Sequence, residues 1–380
     1  MAPLERIPSG FTPAEAESFR NGLTTAARHW LEAMEVWVTT LEADVLPIAR
    51  VDGEGILGIP NGLECYDAMI RSHTTLPLSA DEVHATGLAE IQRLHAEVAE
   101  LGRQSLGVDD VQAIFERLRT DPQLYFETED QVEAKAREAL ARAKAAIPDW
   151  FGRLPETDCV VDRVPPYEAP YTTIAYYRQA VPGERPGAYV VNTYEPTTRP
   201  RHEAEVLAFH ESIPGHHLQI ALAQETGDIP MFRRHLGATA FVEGWALYTE
   251  QLADEMGLYS ADIDRFGMYS FELWRASRLV VDSGLHAKGW TRQQAIDFML
   301  ENTPLAENNI VNEVDRYITT PGQALAYKTG QLEIWRLRRD AEARLGDRFD
   351  IKAFHDVVLG AGAVSLPVLR QRVEAWVASR

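Results

Sequence analysis

Between residues 210 and 219 the chain reads HESIPGHHLQ, a His-Glu pair followed by two adjacent histidines. Two imidazoles four residues apart on a helix lie about one turn apart on one face, where both can bind one metal ion, and a glutamate beside the first then adjoins the metal's water. That is the chemistry of metal-dependent hydrolysis. Here Pro214 stands where the second histidine belongs, and His216, six residues after His210, falls roughly 240° around an unbroken helix. Proline removes a backbone donor and clashes with the preceding turn, and Gly215 accepts unusual dihedrals, so the Pro-Gly step favours a local bulge. With two residues set aside as a bulge, His210-Glu211 is followed by His216 in H-E-x-x-H register. His217 is the rival: two full turns from His210, it shares that face without a bulge but sits ~10 Å along the axis.

A catalytic zinc needs a third protein ligand and an open position. The segment TAFVEGWALYTEQLADEMG offers Glu243 and Glu250. Glu243 is flanked by Val242 and by Gly244, Trp245, Ala246 and Leu247, an apolar setting in which an unpaired carboxylate is costly and a cation offsets the cost. A single histidine on an apolar helix, such as His286, is more commonly a packed core residue. The crowding of His210, Glu211, His216 and His217 is what lifts this segment above that.

The elements that must hold these residues are mostly helical. Thr12 before Pro13, with Glu15 three residues on, opens a helix running to about Leu46, on which Trp30, Met34, Trp37 and Leu41 form a stripe expected to face the core. Ser79 and Glu82 make a second capping box for a helix to about Gly102, and further helical stretches fall near 108–119 and 128–147. Residues 157–194 change texture: TDCVVDRVP, YTTIAYYRQ and GAYVVNTY are rich in β-branched and aromatic residues and predict a small antiparallel sheet. Helical periodicity returns from Arg201, through segments near 203–225, 238–256, 261–288, 291–301, 307–319, 323–345 and 366–379. The expected architecture is mostly α, a helical zincin-like body with one small sheet before the metal-binding helix. Residues 1–150 are expected to wall a cleft and residues 151–380 to carry the catalysis.

Composition bounds the partners. The 380 residues, 45% hydrophobic and 25% charged, suffice for a full core. With 57 acidic against 37 basic residues the formal charge is -20, which argues against nucleic acid and anionic membranes as partners. Cys65 and Cys159, far apart in sequence, offer no disulfide framework. The amino terminus MAPLERIPSG has no apolar stretch after a basic start, and no apolar run approaches the ~20 residues of a membrane helix, so a cytoplasmic location is expected.

At these residues the chain resembles the bacterial family catalogued as domain of unknown function 885. The likeness is carried by HESIPGHHLQ (210–219), FVEGWALYTEQLADEMG (241–257), RASRLVVDSGLHAKGWTRQQAI (275–296), EVDRYITTPGQALAYKTG (313–330) and FHDVVLGAGAVSLPVL (354–369). TTLPLSADEVHATGLAEI (74–91), DPQLYFET (121–128) and PGAYVVNTYEP (186–196) extend it over about residues 60 to 380. The resemblance implies a metallopeptidase-like protein related to the helical gluzincins. The thimet-oligopeptidase type of that group carries H-E-x-G-H-A-L-H, and GHHLQ is similar to its second half. Aligned on Gly-His, the resemblance implies His216 rather than His217 as second ligand, Glu211 as general base and Glu243 as third ligand. Tyr327 is similar to the late tyrosine that stabilises the oxyanion, with Tyr317 as its fallback. Members of the family typically carry a longer amino-terminal region, so a more open site, or one completed in a homodimer, is expected here.

Zn2+ held by His210, His216 and Glu243 would then activate water against an amide of a small peptide or compact molecule, with Glu211 moving the proton. Arg316 is a candidate for a substrate carboxylate, His286 for lining the cleft, and the strand GAYVVNTY for pairing with a peptide at a sheet edge. Two other readings stand beside this one: a metal-dependent enzyme of small-molecule amide metabolism, and a non-catalytic binding protein on the same fold.

Overall fold

The computed structural model describes residues 10–50, 53–181, 183–227, 230–235 and 237–380; most of the amino-terminal stretch read above for a leader lies outside the described residues. The chain divides into two compact units, Met1–Gly53 and Glu54–Arg380. The first contains helix α1 (Pro13–Thr40), closed at its start by the expected capping box: Glu15 N–H donates to the Thr12 hydroxyl and Thr12 N–H donates to the Glu15 carboxylate at 2.8 Å. Its apolar stripe does not face a core. Trp30 is 62% and Trp37 56% exposed, and no residue of α1 is buried. The physical reason is local, since among the described residues of this unit α1 is followed by only a π-turn (Leu41–Val45) and a 3-10 turn (Leu46–Ile48).

The second unit is a helical body around one small sheet. In chain order its elements are α2 (Gly62–Thr74), α3 (Ala80–Ser105), α4 (Val111–Thr120), α5 (Glu129–Ala146), strands β1 (Cys159–Arg163), β2 (Ala175–Arg178) and β3 (Gly187–Val191), then α6 (Ala204–Glu211), α7 (His216–Glu225) and the short α8 (Met231–His235). There follow α9 (Thr239–Glu255), α10 (Asp262–Ala287), α11 (Arg292–Asn302), α12 (Glu307–Thr319), α13 (Ala326–Leu345), α14 (Ile351–Leu359) and α15 (Leu366–Ala378). Among the described residues no helix is long and apolar enough to cross a membrane. Helix α2 was not expected: Asn61 before it is left-handed and makes no side-chain cap, so NG at 61–62 reads as a turn.

The sheet is mixed rather than antiparallel. Its order is β1-β3-β2, with β3 parallel to β1 and antiparallel to β2. A parallel pair needs a crossover of a dozen or more residues, and residues 164–186, which also contain β2, supply it. β3 therefore lies between two partners and all five of its residues are buried, so the strand expected to offer a free edge has none.

Two extensive contacts organise the helices: α9 packs against α13, and α10 against α3. The main core runs through Phe209, Trp245, Tyr248, Phe241 and Phe354. A second, around Phe271, Trp274, Val281 and Tyr317, lies along α10. The interior of α10 also carries Asp282, fully buried, whose carboxylate accepts from the Tyr66 hydroxyl at 2.6 Å and from the Gly322 N–H at 3.0 Å. Burial raises Asp282 to about 7 despite those donors. A carboxyl that holds its proton more tightly folded than unfolded loses stability for the fold as pH rises from about 4 through about 7. Asp282→Asn, which keeps an acceptor without the charge, is expected to gain on wild type by on the order of 2 kcal/mol between pH 5 and 8. Urea unfolding at both pH values measures it, and a pH-independent difference would refute the assignment.

Candidate metal centre

Helix α6 stops at Glu211, and residues 212–215 form the step that the Pro-Gly pair foreshadows. Ser212 leaves the helical region at φ −108°, ψ −107°, the Ile213–Pro214 peptide is cis, and Gly215 takes φ −75°, ψ −128°. Two backbone bonds close the step: Gly215 N–H donates to Phe209 O at 3.0 Å and His217 N–H to Ser212 O at 3.0 Å. Gly215 is required there, because a Cβ would sit 1.9 Å from the His210 carbonyl oxygen. The Trp245 indole N–H donates to Pro214 O at 3.0 Å and ties the step to α9.

The step brings His216 to His210, with ring centroids 4.8 Å apart and planes at 86°. Both imidazoles converge on Glu243 from α9: His210 Nε2 lies 3.8 Å and His216 Nε2 3.4 Å from Glu243 Oε2. The ligand atoms of the three residues all fall within 4.8 Å of one another. Donors ~2.1 Å from a tetrahedral zinc stand ~3.4 Å apart; the His216–Glu243 pair has that spacing, the His210–Glu243 pair is wider, and two imidazoles with one carboxylate are a donor set of the kind that holds zinc. Glu243 keeps 20% of its side chain exposed, whereas His210 is 4% exposed. Burial alone would raise Glu243, but His210 and His216 hold it well below the ordinary carboxylate range. His210 shows the reciprocal effect: burial would lower it, yet Glu243 and Glu250 raise it to about 9.

Glu250, entertained from sequence as a third ligand, stands behind His210 instead. Its Oε1 lies 2.7 Å from His210 Nδ1 and its side chain is fully buried. A carboxylate on the far nitrogen fixes the ring and turns the other nitrogen outward, the usual support of a metal-binding histidine. Arg275 from α10 approaches Glu250 Oε1 at 3.8 Å. Sequence reasoning missed this support, although Glu250 lies seven residues, two turns, after Glu243 on one helix.

His217 turns away. Its Nδ1 meets the Tyr177 hydroxyl at 3.0 Å, its Nε2 lies 3.1 Å from Thr157 O, and burial lowers it to about 4, so it ties α7 to the sheet. Glu211 ends α6, half-buried, close enough for its charge to act on His210 and Tyr189. Tyr327 begins α13 half-buried and within electrostatic reach of Glu243, with the Arg278 guanidinium 4.4 Å from its ring centre. The fallback Tyr317 is committed elsewhere: fully buried, its hydroxyl accepts from Trp274 Nε1 and Arg278 Nε and donates to Glu313 at 2.6 Å. Arg316 is held by Glu313 at 2.9 Å and Gln323 at 2.7 Å, leaving it poorly placed for a substrate carboxylate. His286 is fully buried, accepting from Ile56 N–H at 3.1 Å with its other nitrogen 3.0 Å from Tyr317 O, so it lines no cleft.

The arrangement belongs to a mostly helical protein with a His/His/Glu cluster beside the half-buried Glu211. The chain belongs to the family of bacterial proteins of unknown function DUF885, whose family model matches residues 1–373, and so includes α1 as well as the region from residue 60. A crystal structure described as "the putative lipoprotein from Colwellia psychrerythraea" is 34% identical with a TM-score of 0.93, covering 99% of this chain. The chain spans 65% of that protein's length. The structure of "a putative lipoprotein of unknown function from Shewanella oneidensis" is 21% identical with a TM-score of 0.71; the alignment covers 97% of this chain and 69% of that one, and it shares the fold. No curated protein matches the chain.

Glu243 reaches the histidines because α9 and α13 touch at glycines: a Cβ on Gly244 would lie 2.4 Å from the Gly330 Cα. Gly244→Ala must push the helices apart, at an expected cost of about 2 kcal/mol. Thermal melting should show the loss, and an unchanged melting temperature would mean that the contact yields without strain.

Proposed function

We propose that this protein is a zinc-dependent hydrolase of an amide or peptide bond, acting on a small peptide or a compact amide. The reading rests on one observation: two imidazole nitrogens converge on one Glu243 oxygen at 3.8 and 3.4 Å while Glu250 holds the far side of His210 at 2.7 Å. An ion pair alone would need neither the second histidine nor the supporting carboxylate. The similarity of HESIPGHHLQ to the helical gluzincin motif supports the same reading.

His210, His216 and Glu243 would hold the ion. Zinc in such a donor set lowers the pKa of its water towards ~7 and polarises a carbonyl. Glu211, beside the first ligand and partly open to solvent, takes a proton from the attacking water and returns it to the leaving amine. Tyr327 donates its hydroxyl proton in a hydrogen bond to the oxygen that gains charge. Burial raises this phenol, as does the Glu243 charge, so at neutral pH it is a donor.

Metal analysis by mass spectrometry is expected to give about one zinc per chain, lost on His210→Ala, His216→Ala or Glu243→Ala and retained on His217→Ala. Absence of metal in the folded wild type after incubation with zinc would defeat the reading. Glu211→Gln should keep the metal and lower turnover of an amide substrate by at least ~100-fold. Undiminished turnover would remove Glu211 as the base. Because His210 holds a proton up to about 9 without the ion, zinc must displace it, so affinity should strengthen as pH rises towards 9. Competition with a chelator across pH 6 to 9 reads this directly, and a flat profile would contradict it.

A further inference from the structure

Resting on the hydrolase reading, we propose that the substrate carries a carboxylate close to its scissile amide, held by the guanidinium groups of Arg275 and Arg278 behind the candidate metal centre. Both arginines come from the RASR turn of α10 and both lie against the Trp274 indole, with guanidinium carbons 4.4 and 4.5 Å from its ring centre. Arg275 is 4% and Arg278 3% exposed. Neither is satisfied. Arg275 Nε, Arg275 Nη1 and Arg278 Nη1 are buried atoms without a hydrogen-bond partner, although Arg278 also donates to Tyr317 at 2.9 Å and Glu313 at 2.8 Å.

A buried charged donor left without an acceptor costs several kcal/mol, so a fold keeps such donors where something else supplies the acceptor. The local charge count points to an anion. Glu313 is shared between Arg278 and Arg316 and Glu250 between Arg275 and His210, while Glu203, which also feels the Arg275 charge, is raised to about 7 by burial and accepts from Ser270, so these carboxylates do not fully balance the three guanidinium groups. The planar fork of a guanidinium matches a carboxylate better than a point anion. Position relates this pair to the chemistry. Arg275 lies 3.8 Å from the carboxylate that supports His210, and Arg278 lies against the ring of Tyr327 at 4.4 Å. A carboxylate bound there places the neighbouring amide towards His210, His216 and Glu243, as in the carboxyl-terminal residue of a peptide or an N-acylamino acid.

The test is calorimetric titration of the metal-free protein, so that zinc cannot bind the probe, with N-acetylglycine and with N-acetylglycinamide. The acid is expected to bind at least tenfold more tightly than the amide. Arg275→Gln should weaken the acid at least tenfold with unchanged circular dichroism. Arg278→Gln also breaks the Glu313 contacts, so the comparison of the two probes on wild type decides the matter if that variant does not fold. Equal binding of acid and amide overturns the proposal, as does displacement of N-acetylglycine by an equal concentration of inorganic phosphate. Discrimination by a protein that takes up no zinc would support the carboxylate subsite while the hydrolase reading fails; zinc uptake without discrimination would remove the subsite alone.

Discussion

Burial of carboxylates is the constraint on which this structure turns. Glu243 and Glu250 come from one helix, α9, whose other inward residues from Ala240 to Ala253 are apolar apart from Thr249, whose hydroxyl donates to Ala246 O. A carboxylate in such surroundings must be matched by a cation or by strong donors. Glu250 meets that demand through His210 and Arg275, Glu243 through His210 and His216. His210 thus stands between two carboxylates, and its orientation is fixed from both sides. The same rule holds in the rest of the body, where buried Glu272 is matched by Lys328 and Gln331, and Glu205 by Lys135, Arg142 and Ser260.

Matching charges at this depth demands close helix approach, which glycine supplies at two places. Gly215 lets the chain fold back on the carbonyl of His210 so that six residues of sequence span what one turn spans in an uninterrupted motif. Gly244 against Gly330 lets α9 and α13 come into backbone contact, which places Glu243 level with the histidines. Trp245, next to Gly244, then binds Pro214 O, so the α9 contact and the 212–215 step hold one another. The site depends on two local compressions linked by one indole hydrogen bond.

Much of this was legible in the sequence, because helical periodicity, capping boxes and the Pro-Gly interruption are local. The helices from Thr239 onward fall where their apolar spacing puts them, except α14 (Ile351–Leu359), which the sequence reading left without an element, and setting aside two residues brings His216 beside His210. What was not legible depends on packing partners. The Trp30 and Trp37 stripe has the pattern of a core face, and pattern alone does not say whether a second element is present to cover it. The pairing of β3 between β1 and β2 follows from a long crossover, which local alternation does not encode. Tyr317 and Arg316 have the residue types of a substrate site, but Glu313 one turn earlier on α12 claims both. His286 resembles a cleft residue only until Ile56, more than two hundred positions away, is seen donating to its ring.

The contrast between surface and interior charge has a consequence for what can reach the site. A formal charge of -20 repels anions at range, but that field is screened within ~8 Å at physiological ionic strength. A group that has come within that distance responds instead to nearby buried cations, whose interactions salt screens far less. Among the three arginines of this region, Arg316 is pinned by Glu313 and Gln323, whereas Arg275 keeps two unmet donors. An extended acidic chain would feel the outer repulsion along its length, while a compact molecule with one negative group pays it once and then meets the interior. Under the proposed hydrolase reading, this charge distribution would favour a short ligand over a long anionic one.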